Sequence, residues 1–472
     1  MQYSIVKLKE VFEDNEIFRF DADYYYPPAY YLYKRIKSGR FLRIKECFAV
    51  TKLAGFEYTE YFTDKNISSD DYYITLTSKN IQHEELVLDD YLKIDKKIAD
   101  QFLSRSRLKK NDIVLSYTGE YRRSLVLEKD GFQLGPNICL VRQKEKSLNS
   151  YYVSTFFNCN AGQLLLDREK TLSAQPTVAM SRIREIPIPL FSEAWQSRIE
   201  NIILESKSNQ HRANELYKQA EQILLSELGL LNWKPKHQLS FTKHFSDTES
   251  SNRIDAEYFQ PMYDDLVEVI KKYKGGNMTL GSIVKIKDKN FVPEADMAYK
   301  YIELANISAN GNINGFIEAI GKKLPTRARR KVNTGDVIVS SIEGSLSCIA
   351  LITDDLNNAL CSTGFYVVNS DSLNSETLLV LLKSLVGQLQ LKKGCSGTIL
   401  TAIGDTEFKK VILPEVAPKT QEAIKQKITY MYKSKAQSKS LLEIAKSGVE
   451  MAIEKNEEEA TRWLDEGVER KC

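Results

Sequence analysis

The sequence predicts an α+β protein in which two similar mixed α/β domains are separated by two long helices forming an antiparallel coiled coil. Three observations predict it. Motifs recur in order along the two halves, each half closes in a long stretch suited to one helix, and 472 residues exceed what a single core organises.

The copies open on an Arg-x-Asp-Ala segment. Residues 19–27 read RFDADYYYP and residues 253–261 read RIDAEYFQP, 234 positions later. A short helix is expected after each, over 29–37 and 263–273. YYITLTSKNI from Tyr72 then matches KYIELANI from Lys300, and LKKNDIVLS from Leu108 matches VNTGDVIVS from Val332. IPIPLFSEAWQSRI from Ile186 matches VILPEVAPKTQEAI from Val411. The order holds while the offset drifts to about 225, as two copies of one fold with loops of unequal length would give. β-Branched runs bounded by turn residues, such as those after Asp112 and Asp336, predict strands.

The closing helices follow from spacing. No Gly or Pro falls between Ser192 and Leu228, and Gly229 stands where a C-terminal cap is expected; the second stretch runs from Thr420 to Lys446, with Gly448 tolerated. Apolar residues recur three and four apart at Ile199, Ile203, Ala213, Tyr217, Ala220 and Leu224, and at Ile424, Ile428, Met431, Leu442, Ala445 and Val449. The first stretch makes a rod of about 55 Å at about 1.5 Å per residue, too long for one small domain. An antiparallel pair buries both stripes, relates the copies by a pseudo-twofold, and brings the polar middles Ser206 and Gln210 near Lys435 and Gln437. The boundaries drawn are an N-terminal segment 1–18, a domain 19–190, a central helix 191–231, a linker 232–251, a second domain 252–416 and a distal helix 417–465.

Composition narrows the function classes. With 66 Lys+Arg against 63 Asp+Glu, any polyanion must be held by local patches. The seven Cys form no C-x-x-C pair, which suits reduced thiols in the cytosol, and neither a signal peptide nor a membrane span is legible. Phosphate-cradling glycine loops, H-E-x-x-H and the Asn-Pro-Pro-aromatic segment of adenine methyltransferases are missing, and His83, His211, His237 and His244 lack metal-ligand spacing. No catalytic site, bound cofactor or metal is expected in this chain.

Basic runs recur at one place in the repeat. Arg105, Arg107, Lys109 and Lys110 shortly precede Asp112; Arg327, Arg329, Arg330 and Lys331 shortly precede Asp336. Singly each reads as a solvated face, but recurrence brings in contact with DNA phosphates. Arg122, Arg123, Lys392 and Lys393 are further candidates. Base reading needs loop side chains, for which Glu120, Tyr121, Arg122 and Arg123 in the first copy and Glu343 and Ser345 in the second are available.

The order of these motifs resembles the specificity subunits of type I restriction-modification enzymes, built as domain, helix, domain, helix. Their domains end in an Ile/Leu-Pro stretch followed by Gln-x-x-Ile. Here those residues are Ile186, Pro187, Ile188 and Pro189 with Gln196 and Ile199, then Leu413 and Pro414 with Gln421 and Ile424. The typical Gly-Asp turn is Gly335-Asp336 in the second copy and Asn111-Asp112 in the first; Asn tolerates the left-handed backbone that Gly supplies. The resemblance spans about 19–449. It implies a non-catalytic, DNA-binding, cytoplasmic subunit of a phage-defence system. Each domain would read one half of a split, asymmetric duplex target, and the chain would hold two adenine-methylating modification subunits and, in some systems, nuclease-translocase subunits. S-Adenosylmethionine, and ATP and Mg where a nuclease is present, would belong to those partners. The competing expectation is a duplicated coiled-coil scaffold that recruits proteins without touching DNA.

Overall fold

The computed structural model describes residues 5–469 apart from 15–18, 83, 89, 120–121, 145–147, 172–174, 308–310 and 398–400. The chain divides into two compact units: Met1–Gln210 with Ala436–Cys472, and His211–Lys435. The division cuts both long helices, Glu193–Glu227 and Pro418–Glu454, so each helix belongs half to one unit and half to the other.

In the first unit one four-stranded sheet runs Leu92–Asp95, Tyr72–Leu76, Phe132–Leu134, Arg107–Leu108; its central pair is parallel and its outer pairs antiparallel. An antiparallel sheet runs Phe48–Lys52, Ile138–Gln143, Ile113–Ser116, Ser124–Val126. Phe41–Arg43 pairs with Pro187–Pro189 in a short ribbon. Ile113–Ser116 is buried throughout, which explains its unbroken apolar run. Helices Gly55–Tyr61 and Asp64–Ile67 follow the first strand of the antiparallel sheet.

The second unit repeats the plan of these three sheets. Its mixed sheet runs Ile317–Ile320, Ala298–Ile302, Leu360–Ser362, Ala328–Lys331, again with a parallel central pair. Its antiparallel sheet runs Lys285–Ile286, Phe365–Asn369, Val337–Ser340, Ile349–Leu351, and its ribbon pairs Asn277–Thr279 with Ile412–Pro414. A further ribbon, Cys395–Ser396 with Ala402–Ile403, completes it. The duplication read from four motifs is thus a duplication of sheet order and strand direction.

The recurring motifs are local clamps. Arg19 donates Nε and Nη2 to the two carboxylate oxygens of Asp21 at 2.7 and 2.8 Å, its third nitrogen reaches the Lys170 carbonyl at 3.1 Å, and Asp21 accepts from the Tyr24 backbone N–H. Arg253 does the same with Asp255 at 2.7 and 2.9 Å and reaches the Cys395 carbonyl, while Asp255 accepts from the Tyr258 N–H. Asp112 and Asp336, both buried, accept from the backbone three residues upstream, at Lys109 and Asn333. The residue before each carboxylate is left-handed, Asn111 at φ 67° and Gly335 at φ 87°, as the Asn-for-Gly reading requires.

Each Gln-x-x-Ile motif ties a long helix to its own unit. Gln196 accepts from the Asn149 N–H and donates to the Phe191 carbonyl; Gln421 accepts from the Asn374 N–H and donates to the Val416 carbonyl. Asn149 and Asn374 are in turn the N-caps of helices Ser150–Asn158 and Ser375–Lys383. In the first unit Ile199 and Ile203 share a core with Ala445 and Val449; in the second Ala213, Ala220 and Leu224 share one with Ile424, Ile428 and Met431. The long helices therefore pair antiparallel, N-terminal half against C-terminal half. Ser206 meets Ser438, oxygen to oxygen at 2.9 Å, whereas Gln210 and Lys435 turn to side chains of their own units, Glu85 and Asn312. Asn456 caps a separate helix, Glu457–Glu469, accepting from the Glu459 N–H. Gly448 lets that helix approach: a Cβ there would lie 2.6 Å from Leu464 Cδ2.

Candidate nucleic-acid interface

The two basic runs pass through corresponding elements: Arg107, Arg329, Arg330 and Lys331 lie on the strand, and Arg105, Lys109, Lys110 and Arg327 flank it. Arg107–Leu108 and Ala328–Lys331 are the same edge strand of the same mixed sheet, each antiparallel to the strand beside it. An edge strand presents its side chains and one row of backbone groups outward, so cations placed there can follow a phosphate backbone. A bulge between Ala328 and Arg330 changes the side-chain direction within the second run.

The cations differ in how they are held. Lys109, Lys110, Arg327 and Lys331 are exposed, and the Lys331 ammonium stands 5.5 Å from the Phe291 ring centre. Arg105 pairs with the buried Glu57 at 2.8 Å yet stays 58% exposed. Arg107 is only 14% exposed, lies 3.3 Å above the Tyr73 ring and pairs with Asp100 at 2.6 Å. Burial draws its guanidinium below its ordinary pKa. Arg329 donates to the Thr326 carbonyl and Arg330 to Asn290.

Lys392 and Lys393 lie elsewhere, in a clasp. Lys392 pairs with Glu257 at 3.0 Å, and Lys393 pairs with Asp264 at 2.8 Å and sits 5.1 Å from the Tyr258 ring centre. Arg168 takes the corresponding place in the first unit, 3.8 Å from the Tyr24 ring centre and 2.6 Å from Glu169. Of the loop residues, Glu120 and Tyr121 lie outside the described residues. Arg122 has a left-handed backbone, φ 78°, and pairs with Asp167 at 2.8 Å; Arg123 donates to the Ile81 carbonyl at 3.3 Å. Glu343 and Ser345 form a single 3-10 turn in which Ser345 bonds Ser340, oxygen to oxygen at 2.8 Å.

Sequence reasoning missed the groups that hold this surface. Arg142 grips Asp112 with two hydrogen bonds, at 2.8 and 2.6 Å, and Lys287 and Asn369 hold Asp336 at 2.7 and 2.9 Å. Thirty or more positions separate each pair, and no local spacing signals such a partner. Among the described residues no group of three or more His, Cys, Asp or Glu could hold a metal ion, and no helix is long and apolar enough to cross a membrane. Burial pushes the Cys139 and Cys159 thiols up to about 12, so both stay protonated near neutral pH.

The fold and this surface together define a duplicated two-unit α+β protein with a shared antiparallel helix pair. The chain is similar along 92% of its length to solved specificity subunits of type I restriction-modification systems. One, from M. genitalium, has 12% identity, 95% of its chain covered and a TM-score of 0.37. Another, from Thermoanaerobacter tengcongensis, has 14% identity, 96% coverage and a TM-score of 0.27. A chain from a study of complex assembly and conformational transition in a type I system has 14% identity, 97% coverage and a TM-score of 0.28. No protein-family model and no curated protein matches the sequence.

Proposed function

We propose that this chain is the DNA-reading, non-catalytic specificity subunit of a type I restriction-modification complex. Each unit reads one half of a bipartite, asymmetric target, and the helix pair serves as the dock for two adenine-methylating subunits and, where present, nuclease-translocase subunits. S-Adenosylmethionine, and ATP and Mg where a nuclease is present, belong to those partners. The observation that supports this most is that two dissimilar basic runs pass through or flank the same edge strand of a duplicated sheet, Arg107–Leu108 in one copy and Ala328–Lys331 in the other. Unlike side chains at a common place suit domains that grip the backbone alike and read different bases.

The test is the salt dependence of duplex binding by the full chain with its methyltransferase subunit. Removing Lys109, Lys110, Arg327 and Lys331 by alanine substitution should reduce the slope of log affinity against log salt by roughly 3 to 4, at about 0.9 per phosphate contact, and weaken all sequences alike. The chain alone should transfer no methyl group from labelled S-adenosylmethionine. Salt-independent association, or none, with intact recruitment of the methyltransferase would point to the scaffold instead.

A further inference from the structure

The hairpin of Ile81–Gln82 and Glu85–Leu86 follows the mixed-sheet strand Tyr72–Leu76 and ends on the helix pair. At its turn Glu84 has φ 64°, a left-handed backbone that a glutamate enters only at a cost. Its carboxylate, 10% exposed, lies 2.7 Å from the Lys446 ammonium of the second long helix, which also stands 3.3 Å from Glu443. Beside it, Gln210 of the first long helix donates to Glu85 at 3.1 Å. Two consecutive acids of one turn thus engage both helices.

At the start of the same hairpin, the Ile81 carbonyl accepts from Arg123, one of the candidate base readers. The second unit seats its corresponding turn by one contact of this kind. Ile307 bridges Ile313, and Asn312 between them accepts from Lys435. Lys435 stands 225 positions after Gln210, the offset that also separates Gln196 from Gln421. Removing an ion pair from water costs about as much as its attraction returns, so an apolar contact would hold the turn at least as firmly. The charged pair on a strained turn adds a single defined geometry.

We propose that Glu84 and Lys446 are positioning residues for target reading by the first unit: their ion pair fixes the hairpin on the helix pair and so sets where Arg123 stands. This rests on the DNA-reading function above. The experiment uses the full chain with its methyltransferase subunit, a library of targets varied at every position of both half-sites, and thermal unfolding of each variant.

Glu84→Gly relieves the left-handed backbone and removes the carboxylate. It should keep or raise the unfolding temperature while discrimination at the half-site of the first unit falls about tenfold, the scale of one lost base contact, and the other half-site is read as before. Lys446→Met leaves the hairpin backbone untouched and should show the same one-sided loss, which covers a Glu84→Gly chain that does not fold. Glu84→Lys with Lys446→Glu should recover discrimination relative to either single change. A purely structural pair would lower the unfolding temperature and weaken both half-sites together. Folded variants that read both half-sites as sharply as the parent overturn the proposal. A parent complex that discriminates at neither half-site overturns the DNA-reading function along with it.

Discussion

Arg253 engages its own chain through all three guanidinium nitrogens, and two of them lower the pKa of the Asp255 carboxyl. The hydrogen bond from Arg253 holds the Asp255 carboxyl below the usual carboxylate range, against the opposing effect of burial. A carboxyl whose folded pKa is depressed contributes stability above its unfolded value, about 3.9, and loses it as pH falls through the folded value. Asp255→Asn should therefore flatten the acid limb of stability below about pH 4 and lower stability near neutrality, as urea unfolding across pH would register. An unchanged acid limb would mean that the clamp contributes nothing through this charge. The clamp also shows what the Arg-x-Asp-Ala signature is for: it turns the chain before the first helix of each copy.

Among the elements, the corner between paired helices in each unit is closely confined. Helices Ser150–Asn158 and Asn160–Glu169 meet at a bend where a Cβ on Gly162 would lie 1.9 Å from the Phe156 carbonyl oxygen. Gly387 holds the corresponding place between Ser375–Lys383 and Leu385–Gly394, with a Cβ 2.4 Å from the Leu382 oxygen. Both obstacles are backbone, so neither can swing aside. Gly162→Ala and Gly387→Ala should each cost about 3 kcal/mol in chemical unfolding, through overpacking that only a backbone shift relieves. A cost under about 0.5 kcal/mol would show that the corner opens freely. No residue pattern marks these glycines, because the clash lies between elements rather than along one.

For the whole molecule, the proposed function together with the duplication makes the reading of DNA separable. Every strand of the second copy lies between Asn277 and Pro414, inside residues 252–416. Exchanging 252–416 for the same stretch of a related chain should change one half of the methylated sequence and leave the other half intact, as methylome sequencing of the hybrid would reveal. If both halves changed, one unit could not be reading one half-site.

What the sequence determined by itself was whatever depends on short-range spacing. Repeated motifs gave two copies, the three- and four-residue recurrence at Ile199, Ile203, Ile424 and Ile428 gave the helix pair, and Asn111 for Gly335 was recognisable as one left-handed turn. The basic runs were legible as a recurrence. Tertiary structure decided which cations are already committed: Lys393 is drawn into an ion pair with Asp264, 129 positions away, and Arg107 is stacked on Tyr73. It also decided that Ser206 meets Ser438 and that Glu84 reaches Lys446. The reason is physical. Periodicity fixes which face of an element is apolar, whereas the partner of a charge depends on which distant segment the closed fold brings within a few ångströms of it.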